Sequence, residues 1–139
     1  MEHGTPADRE AIAELKHAYC WHYDTGDLDA LMRLFTADAV CDLDAFGSWR
    51  SAEEIRQGYA RQMAATGIPG TRLHSVSNPV IRVNGDRAKG WWYLVDYNIE
   101  PGCTAPVRIL ATYDDDYLRT EEGWRIERTR LSIRWRCPE

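Results

Sequence analysis

The stretch HYDTGDLDAL, beginning at His22, places a histidine, a tyrosine and two aspartates within the six positions His22 to Asp27. These residue types are those of cofactor-free proton chemistry. Elimination of water or halide, and isomerisation next to a carbonyl, need a base of near-neutral pKa beside the carbon that loses its proton. Histidine meets that need without large tuning. A carboxylate on the other ring nitrogen fixes the tautomer and opposes the charge the ring gains. A tyrosine can donate a hydrogen bond to a carbonyl or a leaving hydroxyl. The other reading of the cluster is a solvated helix end, and the elements around it decide which applies.

From Pro6 to Asp24 the pattern is helical, with Ile12, Leu15, Tyr19 and Tyr23 recurring at steps of three and four. Tyr23 is central on that apolar face. Asp24, about 100° further round, lies on its flank, where it could equally serve as a helix-end or loop-capping carboxylate. Gly26 stops the helix, and Asp27 fits the N-cap of a second one with Leu28, Leu31, Met32 and Phe35 as its apolar face. AVCDL reads as a short strand. SAEE from Ser51 is a capping box opening a third helix with Ile55, Tyr59 and Met63, which Gly67, Pro69 and Gly70 end. Beyond it the period changes to two. Strands are predicted at Arg72–Ser77, Val80–Val83, Ala88–Ile99, Val107–Leu118 and Trp124–Trp135, punctuated by NGD, EPG and EEG turns. Helices followed by hairpin-linked strands predict one α+β domain over residues 1–139, its three N-terminal helices packed in an antiparallel sheet.

The bulk properties exclude several classes. A net charge of −5 supplies no basic stripe for nucleic acid. No apolar run reaches the roughly 20 residues of a membrane helix, and the start of the chain lacks a signal-peptide pattern, so a cytoplasmic location is expected. Cys20, Cys41, Cys103 and Cys137 are far apart and form no close ligand pair. The triplet Asp114–Asp116 reads as strand alternation with solvated acids rather than a cation loop. No metal is expected. Strand Ala88–Ile99 is apolar on both faces: Ala88, Gly90, Trp92, Leu94 and Asp96 on one, Trp91, Tyr93, Val95, Tyr97 and Ile99 on the other. A homo-oligomer, dimer or trimer, is expected to cover the second face.

Four stretches, YDTGDLDALMRLFTADAV, LHSVSNPVIRVNGDRAKG, YDDDYLR and GWRI, come in an order that resembles the SnoaL-like branch of the nuclear transport factor 2-like superfamily. The resemblance implies a cone in which a curved sheet wraps the first helix around an apolar pocket. Its members include scytalone dehydratase, bile acid 7α-dehydratase, hexachlorocyclohexane dehydrochlorinase, ketosteroid isomerase and polyketide cyclases, besides modules without catalysis. Tyr23-Asp24 resembles the tyrosine-aspartate pair of scytalone dehydratase, and His74 falls where the dehydratases keep a catalytic histidine. Trp92 stands where scytalone dehydratase has a second histidine. The ketosteroid isomerase arrangement needs a general-base aspartate further on and a protonated acid in the sheet, and only Asp96 could imitate the latter.

The resemblance therefore implies a cofactor-independent lyase or isomerase, foremost a dehydratase, acting on a hydrophobic cyclic molecule of polyketide or steroid type. His74 would be the base, Asp24 its orienter and Tyr23 the hydrogen-bond donor. Tyr19, Trp49, Tyr59, Met63 and Trp92 are candidate walls, with plain core as the alternative for each. Arg130 and Ser132 reach the mouth only if no bulge changes the inward phase of the last strand. An aldol-type cyclase using Asp24, and a non-catalytic small-molecule-binding or assembly module, are the rival readings.

Overall fold

A computed structural model describes residues 4–65, 71–100, 102 and 104–138. Helix α1 spans Pro6–Thr25. Thr5 opens it with a reciprocal capping box: its hydroxyl accepts from the Asp8 N–H while Asp8 accepts from the Thr5 N–H. Gly26 closes it at φ 76°, the left-handed conformation that glycine adopts without strain. Asp27 then caps α2 (Leu28–Met32) by accepting from the Ala30 N–H. Strand β1 (Phe35–Asp42), a 3-10 turn (Asp44–Phe46) and the short β2 (Ser48–Trp49) lead to α3 (Ala52–Ala65). Ser51 caps α3 through the Glu54 N–H. The predicted stop at Gly67, Pro69 and Gly70 lies outside the described residues, as do Cys103 and Pro101.

Strands β3 (Arg72–Asn84), β4 (Arg87–Asn98), β5 (Val107–Thr120) and β6 (Gly123–Cys137) form an antiparallel meander. The described sheet has the order β2-β1-β6-β5-β4-β3. Four expectations need correction. The three helices do not all precede the sheet, because β2 as well as the expected strand at AVCDL comes before α3. The sheet is mixed, because β1 pairs parallel with the edge of β6 that the meander leaves open. Phe35, expected on the second helix, starts β1 instead. Phe35 is itself aromatic and Thr36 and Val40 are β-branched, which suits a strand, and that strand satisfies the free edge of β6. The two segments expected as separate strands at 72–77 and 80–83 are one strand with a bulge at Asn78 and Pro79. The pyrrolidine there has no N–H for the ladder, so the extra residues loop out.

The sheet presses its inner face on α1, whose Ile12, Leu15, Tyr19 and Tyr23 enter the core. On β4 the inner row is the predicted one: Ala88, Trp92, Leu94 and Asp96 are all buried. The opposite row, with Tyr93 58% exposed, faces solvent. The acid triplet departs from expectation at its centre. Asp115 is fully buried, because strand alternation that leaves Asp114 and Asp116 outward turns it into the core. There its Oδ2 lies 2.9 Å from Lys16 Nζ of α1 and accepts from Tyr117 Oη at 2.7 Å, and Oδ1 accepts from Thr129 Oγ1 at 2.6 Å. Such a buried charge survives only when it is paired and hydrogen-bonded. Among the described residues no helix is long and apolar enough to cross a membrane.

Candidate active site

Arg72, His74 and Val76 alternate with the outward Leu73 and Ser75, so β3 turns a histidine toward the core. Asp24 comes to meet it from the end of α1. Arg72 fixes that approach, its guanidinium donating to the carbonyl of Tyr23 at 3.0 Å and to that of Met63 in α3 at 3.1 Å. A cation on the last carbonyls of α1 also complements the helix dipole. The carboxylate of Asp24 then holds His74 twice. Oδ2 accepts from the His74 main-chain N–H at 2.8 Å, and Oδ1 lies 2.6 Å from Nδ1. Since a carboxylate only accepts, Nδ1 is the donor, which in the neutral ring leaves the lone pair on Nε2.

Nε2 faces Asp96, whose Oδ2 is 3.4 Å away. The two residues are direct partners across β3 and β4. Asp96 is buried, and its other oxygen accepts from Asn98 Nδ2 at 2.7 Å. Burial pushes its carboxyl above the usual carboxylate range, the adjacent His74 pulling partly the other way. The Tyr23 ring packs edge-on against the imidazole, centroids 4.6 Å apart, and its hydroxyl donates to Gln62 Oε1 at 3.2 Å. Burial raises this phenol as well, so it stays a donor.

These groups open into a cavity of about 270 Å³. Its apolar walls include Tyr19, Leu94, Val107, Ile109, Tyr113 and Leu131, and its polar side gathers around His74. His74, Tyr23 and Tyr19 line the cavity as the sequence implies. Asp24 stands behind His74 and reaches an outer groove between α1 and β3.

Trp49, Tyr59, Met63 and Trp92 are not brought to the lining. Tyr59 forms a second layer, its hydroxyl 2.8 Å from that of Tyr19. Trp49 packs edge-on against Tyr59 and fills the space over Gly58, where a Cβ would sit 2.1 Å from the indole. Met63 packs at the core's margin and offers its carbonyl to Arg72. Trp92 is sealed at the far end, donating to Tyr117 Oη at 3.1 Å. Large apolar residues at core-facing positions cannot all reach one small cavity, and these four support it from behind. Arg130 turns outward to Asp116 and Ser132 is exposed.

Residue types alone did not single out Gln62, Asn98, Glu100 or Arg136, which also line the cavity. Arg136 escapes strict alternation, because a bulge opposite Leu110 and Ala111 resets the inward phase of β6. Among the described residues, no group of three or more His, Cys, Asp or Glu side chains is placed to hold a metal ion.

An uncharacterized protein of Mycobacterium tuberculosis is 31% identical over 124 residues, 88% of this chain and 82% of the relative. A proposed aromatic ring hydroxylase of Novosphingobium aromaticivorans superposes with a TM-score of 0.85 at 27% identity, covering 95% of this chain and 92% of the other. A proposed scytalone dehydratase of the same bacterium superposes with a TM-score of 0.87 at 15% identity, covering 96% and 88%, a likeness of fold. The family model for the SnoaL-like domain matches residues 5–130, and the chain belongs to that family.

Proposed function

We propose that the protein is a cofactor-independent lyase that dehydrates a hydrophobic cyclic small molecule. The observation that carries this is the direction of His74. Its Nδ1 is committed to Asp24, and its Nε2 points to the cavity beside the Asp96 carboxyl, whose hold on a proton burial strengthens. A base and an acid thus stand side by side at one wall. Nε2 removes a proton from the carbon next to a carbonyl, and the C–H electrons form the new double bond. The C–O bond on the neighbouring carbon breaks as Asp96 protonates the departing hydroxyl, which leaves as water. The proton on His74 then returns to Asp96. Asp24 opposes the imidazolium during this cycle. The Tyr23 hydroxyl exchanges Gln62 for a substrate oxygen as its acceptor.

The same neighbouring acid supports isomerisation as the second reading, since a protonated carboxyl can polarise a carbonyl while His74 moves a proton along the ring. Both oxygens of Asp24 are engaged by His74, which favours His74 over Asp24 as the proton carrier and speaks against an aldol-type cyclase. The test is a panel of one- and two-ring β-hydroxy ketones followed by ultraviolet absorbance and mass spectrometry. Expected is loss of one water with conjugation, persisting after chelation by EDTA and abolished in His74→Ala. Products of unchanged mass would select isomerisation. Binding with no product from any compound would select a binding module.

A further inference from the structure

Strand register lines four inward residues in one row across the cavity bed. His74 on β3 pairs with Asp96 on β4, Asp96 with Ile109 on β5, and Ile109 with Arg136 on β6. All four line the cavity. The row therefore reads base, acid, apolar surface, cation. Adjacent strands lie about 4.8 Å apart, so Arg136 stands about 10 Å of sheet from Asp96.

Arg136 is unusual among the arginines of this sheet. Arg130 pairs with Asp116, Arg128 with Asp42, Arg87 with Glu127 and Arg119 with Asp8. Arg136 makes no hydrogen bond or ion pair among the described residues, and its Nε is buried without a partner. Asp96 and Glu100 share the cavity lining but neither is in ion-pair contact with it. A guanidinium presents donors in a planar fork matched to a carboxylate, and leaving a buried donor unpaired costs free energy that an incoming acceptor recovers.

We propose that the substrate is a one- or two-ring carboxylic acid, its carboxylate gripped by Arg136 while its ring lies over Ile109 and its reacting carbons meet His74 and Asp96. The size follows from the cavity volume of about 270 Å³. That lies just below the roughly 300–1,000 Å³ of clefts that enclose drug-sized ligands, and suits one or two rings better than a four-ring skeleton. Arg136 is thereby a specificity-determining residue. The assignment rests on the lyase reading for the orientation of the substrate, but ligand binding tests the anchor without any turnover.

The experiment is isothermal titration calorimetry of the full chain with 2-naphthoate, 2-naphthamide and pyrene-1-carboxylate. Wild type should bind the naphthoate about tenfold to a hundredfold more tightly than the isosteric amide, the range of a charge-assisted pair. Arg136→Gln should abolish that preference, and Arg136→Lys should retain part of it. Pyrene-1-carboxylate should bind at least about tenfold more weakly than naphthoate. Equal affinity for naphthoate and naphthamide, a preference that persists in Arg136→Gln, or no binding of either two-ring compound at millimolar concentration would overturn the anchor. Tight pyrene-1-carboxylate binding would overturn the size limit. Failure of the lyase reading would show separately, as turnover that survives His74→Ala.

Discussion

Asp24 holds His74 at two points, one oxygen on the main-chain N–H at 2.8 Å and the other on Nδ1 at 2.6 Å. A helix end and a strand are joined through a single carboxylate, and that carboxylate sets both where the imidazole sits and which nitrogen carries its proton. Arg72 secures the same junction from the helix side. The cavity is thus built around a ring whose orientation is fixed before any ligand arrives, the condition under which a general base works best.

The raised carboxyl of Asp96 gives a prediction with a definite sign. Its folded pKa lies above the unfolded value, so the folded state binds more protons in the window between them. Its contribution to stability is fully present below the ordinary carboxylate pKa and is lost as pH rises through the folded value. Asp96→Asn removes that loss. Its melting temperature should exceed wild type at neutral pH, with the two curves converging below about pH 4, the ordinary carboxylate range. Turnover should fall in the same variant, because the leaving hydroxyl loses its acid. Scanning calorimetry across pH checks the first part, and a Tm gap independent of pH would refute it.

The Lys16–Asp115 pair predicts a strongly non-additive pair of substitutions. Lys16→Met leaves an uncompensated carboxylate in the core and should cost about 3–5 kcal/mol. Asp115→Asn in the Lys16→Met background removes the stranded charge, so the double variant should be more stable than Lys16→Met alone. Urea denaturation with unchanged m-values measures both. A Lys16→Met variant as stable as wild type would show that the buried pair is not what holds α1 to the sheet.

The outer face of β4 and its neighbours carries the third prediction. Trp91, Tyr93 and Tyr97 are exposed beside Leu73 on β3 and Leu110 and Trp135 on β5 and β6. We propose a homo-oligomer through this face, since each Å² of apolar surface left in water forgoes roughly 25 cal/mol. Light scattering at micromolar concentration should give a mass above the monomer, and Tyr93→Glu should shift it to monomer with the circular dichroism unchanged. A monomeric wild type would contradict it.

Much of this site was legible because its residues sit where local patterns are strong. The period of four that carries Tyr19 and Tyr23 marks the core face of α1, and alternation on β4 correctly puts Asp96 inward with Trp92 and Leu94. What local pattern could not supply was partnership. Nothing in Phe35–Asp42 announces a parallel neighbour 90 residues away, so the strand's beginning reads as helix and the sheet as purely antiparallel. Asp115 looks solvated until Lys16 arrives from another element. Arg136 is invisible to alternation because a bulge resets β6. Aromatic residues, conversely, mark core and cavity wall alike, which is why Tyr59 and Trp92 read as walls and prove to be the layer behind.

The most direct test of the central claim is a double-mutant cycle of His74→Ala and Asp24→Asn on a dehydrated substrate, with circular dichroism and oligomeric state held unchanged. His74→Ala should lower kcat by about 10² to 10⁴-fold, the usual contribution of a general base. Asp24→Asn should approach the same loss, since asparagine keeps the shape of the clamp but removes the charge opposing the imidazolium. The double variant should be scarcely worse than the worse single one, because the two side chains act as one unit. Near wild-type turnover in His74→Ala, or losses in the two single variants that simply multiply, would contradict the account.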